Sequence, residues 1–270
     1  MRLQTVPASR GALWVRLGFR AFFQRPMAFA ALFAAFMFAV FVSRLLPFIG
    51  SLVLLALLPL VTIGFMIATR VTVEGGFPTP RVFIDPLRGP RPRVVAMWQL
   101  GVIYAIATFF LMWLIDVIDG GAFDALMDSL PAAQSSPDAV AEKIVAPGLL
   151  FGMLLRFGLA GLLSIPFWHA PALVYWGGHG CAQSLFSSTI ACWRNRGAFF
   201  VYSLTWFALI MSFVMASSLV FAVLGQPQMF AVAAVPISLF FTTVFYVSLY
   251  FTFSDSFVAS NPDDLLAGAA

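Results

Sequence analysis

RGALWVRLGFRAFFQRPMAFAALFAAFMFAVFVSRLLPFIGSLVLLALLPLVTIGFMIAT, residues 10–69, decides the fold. Arg10–Arg25 is basic, aromatic and amphipathic. Pro26–Ser43 carries no charge. A second apolar run, Leu45–Thr69, follows Arg44 and contains the turn-like Pro47-Phe48-Ile49-Gly50. A membrane-spanning helix needs about 20 apolar residues to cross a hydrocarbon core roughly 30 Å thick. The stretch therefore predicts a surface helix followed by a membrane-crossing helical hairpin. Pro26 opens the first span, where its missing N–H costs nothing. Pro59 lies inside the second and predicts a kink whose freed carbonyl a neighbour must satisfy.

The rest of the chain extends this plan. It is 61% hydrophobic and 10% charged, against about 25% charged in soluble domains. Six stretches are long and apolar enough to span: about 27–46, 50–69, 94–115, 150–172, 198–223 and 229–254. They are apolar on every side, which excludes the alternating strands of an outer-membrane barrel. The expected fold is an all-α membrane protein with six transmembrane helices. The first apolar run starts at residue 26 and lacks a small-residue cleavage site, so it reads as an anchor and not a secretory signal.

Two segments are amphipathic. In 8–25, Ala12, Val15, Phe19, Phe22 and Phe23 follow helical spacing, with Arg16 and Arg20 beside them and Leu13 and Trp14 interrupting the polar side. In 180–196, Ala182, Leu185, Phe186, Thr189, Ile190 and Trp193 form one face, and Ser184, Ser187, Ser188, Arg194 and Asn195 the other. Such helices lie in the headgroup zone, arginines toward phosphates, or cap the bundle. Loop 70–93 is rich in Arg, Pro and Gly, with a short interfacial piece around Val82-Phe83-Ile84. Segment 116–147 is acidic, with short helices expected over Ala122–Leu130 and Ala139–Ile144.

Retained positive charge marks the cytoplasmic side. With six spans, one side receives Arg2, Arg10, Arg16, Arg20, Arg25, Arg70, Arg81, Arg88, Arg91, Arg93, Arg194 and Arg196, 12 of the 15 basic residues. The other side receives Arg44 and Lys143. Both termini and the 180–196 helix are thus expected in the cytoplasm, and 116–147 in the periplasm.

An internal repeat is also expected. An offset of 170 aligns Phe22–Phe29 with Cys192–Phe199, and an offset of 107 aligns Pro59 with Pro166. The spacing gives a threefold repeat of surface helix plus hairpin, with a degenerate second surface piece. Symmetry-related units enclose central sites in many transporters.

The candidate functional residues are few. Arg156 is the one charge inside a span, a functional candidate by default. The repeat aligns it with Ile49, near the outer interface and within reach of Asp116 or Asp119, so structural pairing is the competing account. His169 lies between Pro166 and Pro171 beside Trp168. A helix broken there exposes carbonyls and makes a polar pocket; hydrogen-bonded packing is the alternative. Trp193 and Arg194 close the second amphipathic segment at headgroup level.

No metal or cofactor is expected. The two histidines are ten apart without a nearby carboxylate, and Gly177–Gly180 lacks the Lys-Ser/Thr ending of a phosphate loop. Cys181 and Cys192 are eleven apart, on one helical face but about 16 Å apart by the helical rise, too far to bridge. No carboxylate lies clearly inside a span, which lowers the case for a driven transporter. The arginines flank spans, so anionic lipid headgroups are the expected partners, with a protein partner or second copy, and no nucleic acid.

The chain resembles, along its whole length, an uncharacterised family of bacterial inner-membrane proteins best represented in betaproteobacteria. The resemblance rests on Val6-Pro7-Ala8 with Gly11, Trp14-Val15, Gly18-Phe19 and Phe22, on Ala170–Trp176, and on Ala191-Cys192-Trp193-Arg194-Asn195. It implies fold and location only. The surface-helix-plus-hairpin plan is more distantly similar to membrane domains attached to some glycerophosphodiesterases, without their catalytic domain. These readings predict a non-enzymatic membrane component that binds or organises lipid or supports a larger complex. The alternative is a carrier or channel for a lipid-like or small solute, with a path near Pro59, Pro166–Pro171 and Arg156.

Overall fold

Helices fill most of the described chain; Pro59, Pro166 and Pro236 lie inside them, and Gly75, Gly120, Gly178 and Gly225 turn the backbone beyond helix ends. The computed structural model describes residues 1–46, 49–120, 123, 128, 147–226 and 229–258. Strand β1 (Arg2–Leu3) precedes α1 (Arg10–Gln24), α2 (Pro26–Arg44) and α3 (Gly50–Val73). Two 3-10 turns, Pro80–Phe83 and Asp85–Leu87, lead to α4 (Arg91–Asp119). Then come α5 (Pro147–Phe167), α6 (Ala170–Tyr175), α7 (Cys181–Arg194), α8 (Arg196–Val223), α9 (Met229–Ser256) and β2 (Phe257–Val258). β2 pairs antiparallel with β1, so the two ends of the described chain meet.

Six stretches are long and apolar enough to cross a membrane: Pro26–Arg44, Gly50–Val73, Arg91–Ile118, Phe151–Tyr175, Arg196–Val223 and Val232–Ser256. This is an all-α, multi-pass membrane protein. In the fourth span the helix breaks at Trp168-His169, between α5 and α6, within the Pro166–Pro171 stretch that the sequence marks for a break. Pro171 has no N–H to offer the carbonyl one turn back, so the α-helical ladder cannot run through. The turn at Pro47-Phe48, the expected helices over 122–130 and 139–144, and the tail beyond residue 258 lie outside the described residues.

The order of elements keeps the three-unit plan, and the packing closes it into a ring. Each surface piece lies against the hairpin that precedes it. The Pro80–Phe83 turn packs on α2 and α3, with the Phe83 ring against Gly64 and Phe65. α7 packs on α5 and α6. α1, having no preceding hairpin, packs on the last one, between α8 and α9. The core gathers at the end of the bundle where β1 and β2 meet. It holds Trp14, Phe29, Phe65, Leu100, Leu173 and Val247, all fully buried or nearly so. Burial is uneven among the spans, and only 6% of the apolar window within Arg196–Val223 is buried against protein.

Two helical faces differ from the sequence reading. On α1 the buried residues are Gly11, Trp14, Val15, Gly18, Ala21 and Phe22. Ala12 and Phe23, expected on the apolar face, are exposed, whereas Trp14, expected to spoil the polar side, is fully buried. The reason is close approach: Gly11 and Gly18 lack side chains and let the backbones of α8 and α9 touch α1. On α7 the polar face turns inward. Ser184, Ser188, Ala191 and Cys192 are buried, while Phe186 and Trp193 are 69% and 67% exposed. Ser188 is drawn in because the broken fourth span offers it unpaired backbone groups, whereas the Ser184 hydroxyl donates to the Cys181 carbonyl of its own helix.

Candidate functional site

The break between α5 and α6 organises the polar chemistry of the bundle. The Ser188 hydroxyl donates to the Ile165 carbonyl at 3.0 Å and accepts the His169 backbone N–H at 3.0 Å. Cys192 Sγ approaches the same carbonyl at 3.7 Å. α7 thus supplies the groups that the missing helical turn would have supplied. The His169 side chain is fully buried, and neither ring nitrogen has a hydrogen-bond partner among the described residues. The ring sits in a box of Phe199, Phe253 and Phe257, with centroids 5.8, 5.9 and 5.5 Å away. Trp168 Nε1 donates to Thr252 Oγ1 at 3.2 Å, and its ring meets Phe199, Tyr202 and Phe245 edge-on.

Trp168 also borders a cavity of about 180 Å³ between α3, α4, α5 and α9. Pro59 and Phe167 line it, together with Thr62, Tyr104, Ser164 and Tyr246. Here Pro59, the residues at the α5–α6 break and four hydroxyl-bearing residues converge.

Arg156 does not join this cluster. Its guanidinium meets Asp116 at 3.0 Å and lies over the Phe123 ring, 4.2 Å from the centroid. Half of the Asp116 side chain is exposed. Such pairs are worth about 1 kcal/mol or less, and the ring contact adds a comparable amount. Loss of the Asp116 contact alone should therefore cost about 1 kcal/mol, and a thermal-unfolding double-mutant cycle of Arg156→Leu with Asp116→Asn should give a small coupling. A coupling several times larger would point to a dehydrated ion pair. Trp193 and Arg194 are also apart from the cluster, on the outer surface. Arg196 lies 5.6 Å over the Trp193 ring, and Arg194 Nη2 donates to Thr5 Oγ1 at 3.2 Å.

A second polar cluster, absent from the sequence reading, ties the chain ends together. Arg10 grips Asp255 with two hydrogen bonds of 2.7 and 2.8 Å, and Trp14 Nε1 donates to the same carboxylate at 2.6 Å. Asn195 is buried beside it. Its Oδ1 accepts the Val6 N–H at 2.9 Å, while Nδ2 donates to the Gln4 carbonyl at 3.2 Å and Ser256 Oγ at 3.3 Å. The sequence signal was weak: Trp14 and Asp255 are 241 residues apart, and Asp255 reads simply as the end of a span.

Both cysteines are free. Burial pushes the Cys192 thiol up to about 12 and raises that of Cys181 less far. The thiolate is the reactive form. A maleimide at pH 8 should therefore label Cys181 slowly and leave Cys192 unmodified until the protein is denatured. Mass spectrometry of the digested protein reads the outcome; equal labelling of both would contradict the burial of Cys192.

Among the described residues no group of three or more His, Cys, Asp or Glu could hold a metal ion. A Burkholderia thailandensis protein described as a probable inner membrane protein is 32% identical over 263 residues, covering 97% of this chain and 96% of that one. No family profile matches the chain, and no solved structure matches it significantly.

Proposed function

The chain belongs to the same family as that Burkholderia thailandensis protein, and we propose that it is a non-catalytic component of the inner membrane that binds and organises lipid. A multi-pass inner-membrane location fits both the relative's name and the six candidate spans. The observation that carries the lipid reading is the outward stripe of α7. Ala182, Phe186, Ile190 and Trp193 are exposed at helical spacing, and Arg194 and Arg196 stand at its end. A stripe of this kind is costly in water and stable at a headgroup boundary, where aromatic rings meet acyl chains and arginines meet phosphates. The arginine balance supports a cytoplasmic placement of this face and of both termini.

Site-directed spin labelling tests it. In a Cys181→Ser, Cys192→Ser background, a nitroxide at Phe186→Cys in reconstituted vesicles should be reached by oxygen far more readily than by a water-soluble nickel chelate. Preference for the chelate would overturn the reading. A second reading, a carrier for a small or lipid-like solute, draws support from the hydroxyl-lined cavity at Pro59 and Trp168. Solute flux through vesicles that is lost in Ser164→Leu would favour it.

A further inference from the structure

α8 and α9 leave a crevice of about 440 Å³ between them, within the roughly 300–1,000 Å³ range of small-ligand sites. Its walls are Trp206, Ile210 and Phe213 on α8, and Ala234, Phe241 and Phe245 on α9, among others. Its Ser238 hydroxyl is turned to the Val235 carbonyl of its own helix at 2.8 Å. From Gly197 to Ser254 the chain has no charged residue. Water has little to bond to in such a slot, whereas an acyl chain fits its chemistry.

The helix packed beside the crevice carries charge. α1 follows the same pair of helices, and its Phe19 ring meets Trp206, Phe240 and Phe241 at 5.8, 6.0 and 6.4 Å. Arg16 and Arg20 lie one turn apart, on the outer side of the α1 flank that carries Phe19. Both are exposed, and neither forms an ion pair among the described residues. Two cations beside an apolar slot complement a molecule with an acyl chain and a negatively charged headgroup.

We propose that the α8–α9 crevice holds an acyl chain of an anionic glycerophospholipid whose headgroup phosphate is bound by Arg16 and Arg20. This rests on the lipid reading above and gives it a site and a lipid class. Charge-assisted contacts to phosphate are the strong kind, and a net-negative headgroup gains more from two arginines than a zwitterionic one. The α7 stripe, by contrast, contacts whatever lipid surrounds it.

Native mass spectrometry of the full-length, delipidated protein in detergent tests the site. The probes are phosphatidylglycerol and phosphatidylcholine with identical chains. One phosphatidylglycerol should be retained about tenfold more tightly than phosphatidylcholine. Arg16→Gln with Arg20→Gln should erase that preference, while the control Arg88→Gln with Arg91→Gln, of equal charge loss, should keep it. Ala234→Trp, which fills the crevice, should weaken both lipids. Phosphatidylglycerol binding that responds equally to both arginine pairs, or that survives Ala234→Trp in a folded protein, overturns the site and leaves the broader lipid reading standing. No retention of either lipid by the wild-type protein, together with a water-exposed α7 stripe, overturns both.

Discussion

Gly11→Ala is expected to destabilise the protein by about 2 kcal/mol, although alanine is the better helix former. A Cβ at this position would run into the Ala198 carbonyl oxygen and come within 2.5 Å of the Tyr202 backbone nitrogen. Both obstacles are backbone, so neither can swing aside. Alanine gains about 1 kcal/mol of helix propensity, but forcing α1 away from α8 costs about 3 kcal/mol, and the clash wins. Thermal unfolding in detergent should show a loss of roughly 5 °C, taking 2–4 °C per kcal/mol for a chain of this size. Gly89→Ala is the control, since nothing lies within 4 Å of the added carbon. A Gly11→Ala protein as stable as wild type would mean that α1 does not sit against α8.

Asp255→Ala is expected to cost about 3 kcal/mol, at the low end for breaking a buried charge pair because the site is partly open. The Asp255 side chain is 19% exposed and that of Arg10 38%. The substitution strands two groups. Arg10 loses a two-pronged carboxylate, and the Trp14 N–H, on a fully buried ring, loses its acceptor. Asp255→Asn keeps an acceptor for Trp14 and should recover about half of the loss. In an Arg10→Ala background the cost of Asp255→Ala should shrink by about 1 kcal/mol or more. Equal costs in both backgrounds would show that the pair is not coupled.

Hydrophobic length alone made the spans legible, because nothing but lipid accommodates such runs. The pairing of Arg156 with Asp116 was also legible, since a charge among apolar residues has few places to go. The orientation of α1 and α7 was not. In water an apolar face means an inward face, but beside a bilayer lipid can cover it as well as protein can. Periodicity therefore located both helices and could not say which side faced the bundle. Trp14 was misassigned because its partner stands at the far end of the chain. Ser188 was read as a surface serine because its role depends on a carbonyl that only the Pro166–Pro171 break exposes. His169 drew notice for its place between two prolines, yet the sequence did not disclose its aromatic box, which is assembled from α8, α9 and β2.

The closed ring has a consequence for biogenesis. α1 leaves the ribosome ahead of the other described helices, but its berth consists of α8 and α9, which follow all of them. At about 5–20 residues per second, the wait from Trp14 to Asp255 is on the order of ten seconds or more. Throughout that interval the tryptophan and its neighbouring arginine have no carboxylate to hold. Until α9 is made the ring is an open arc, and α1 is the latch that shuts it.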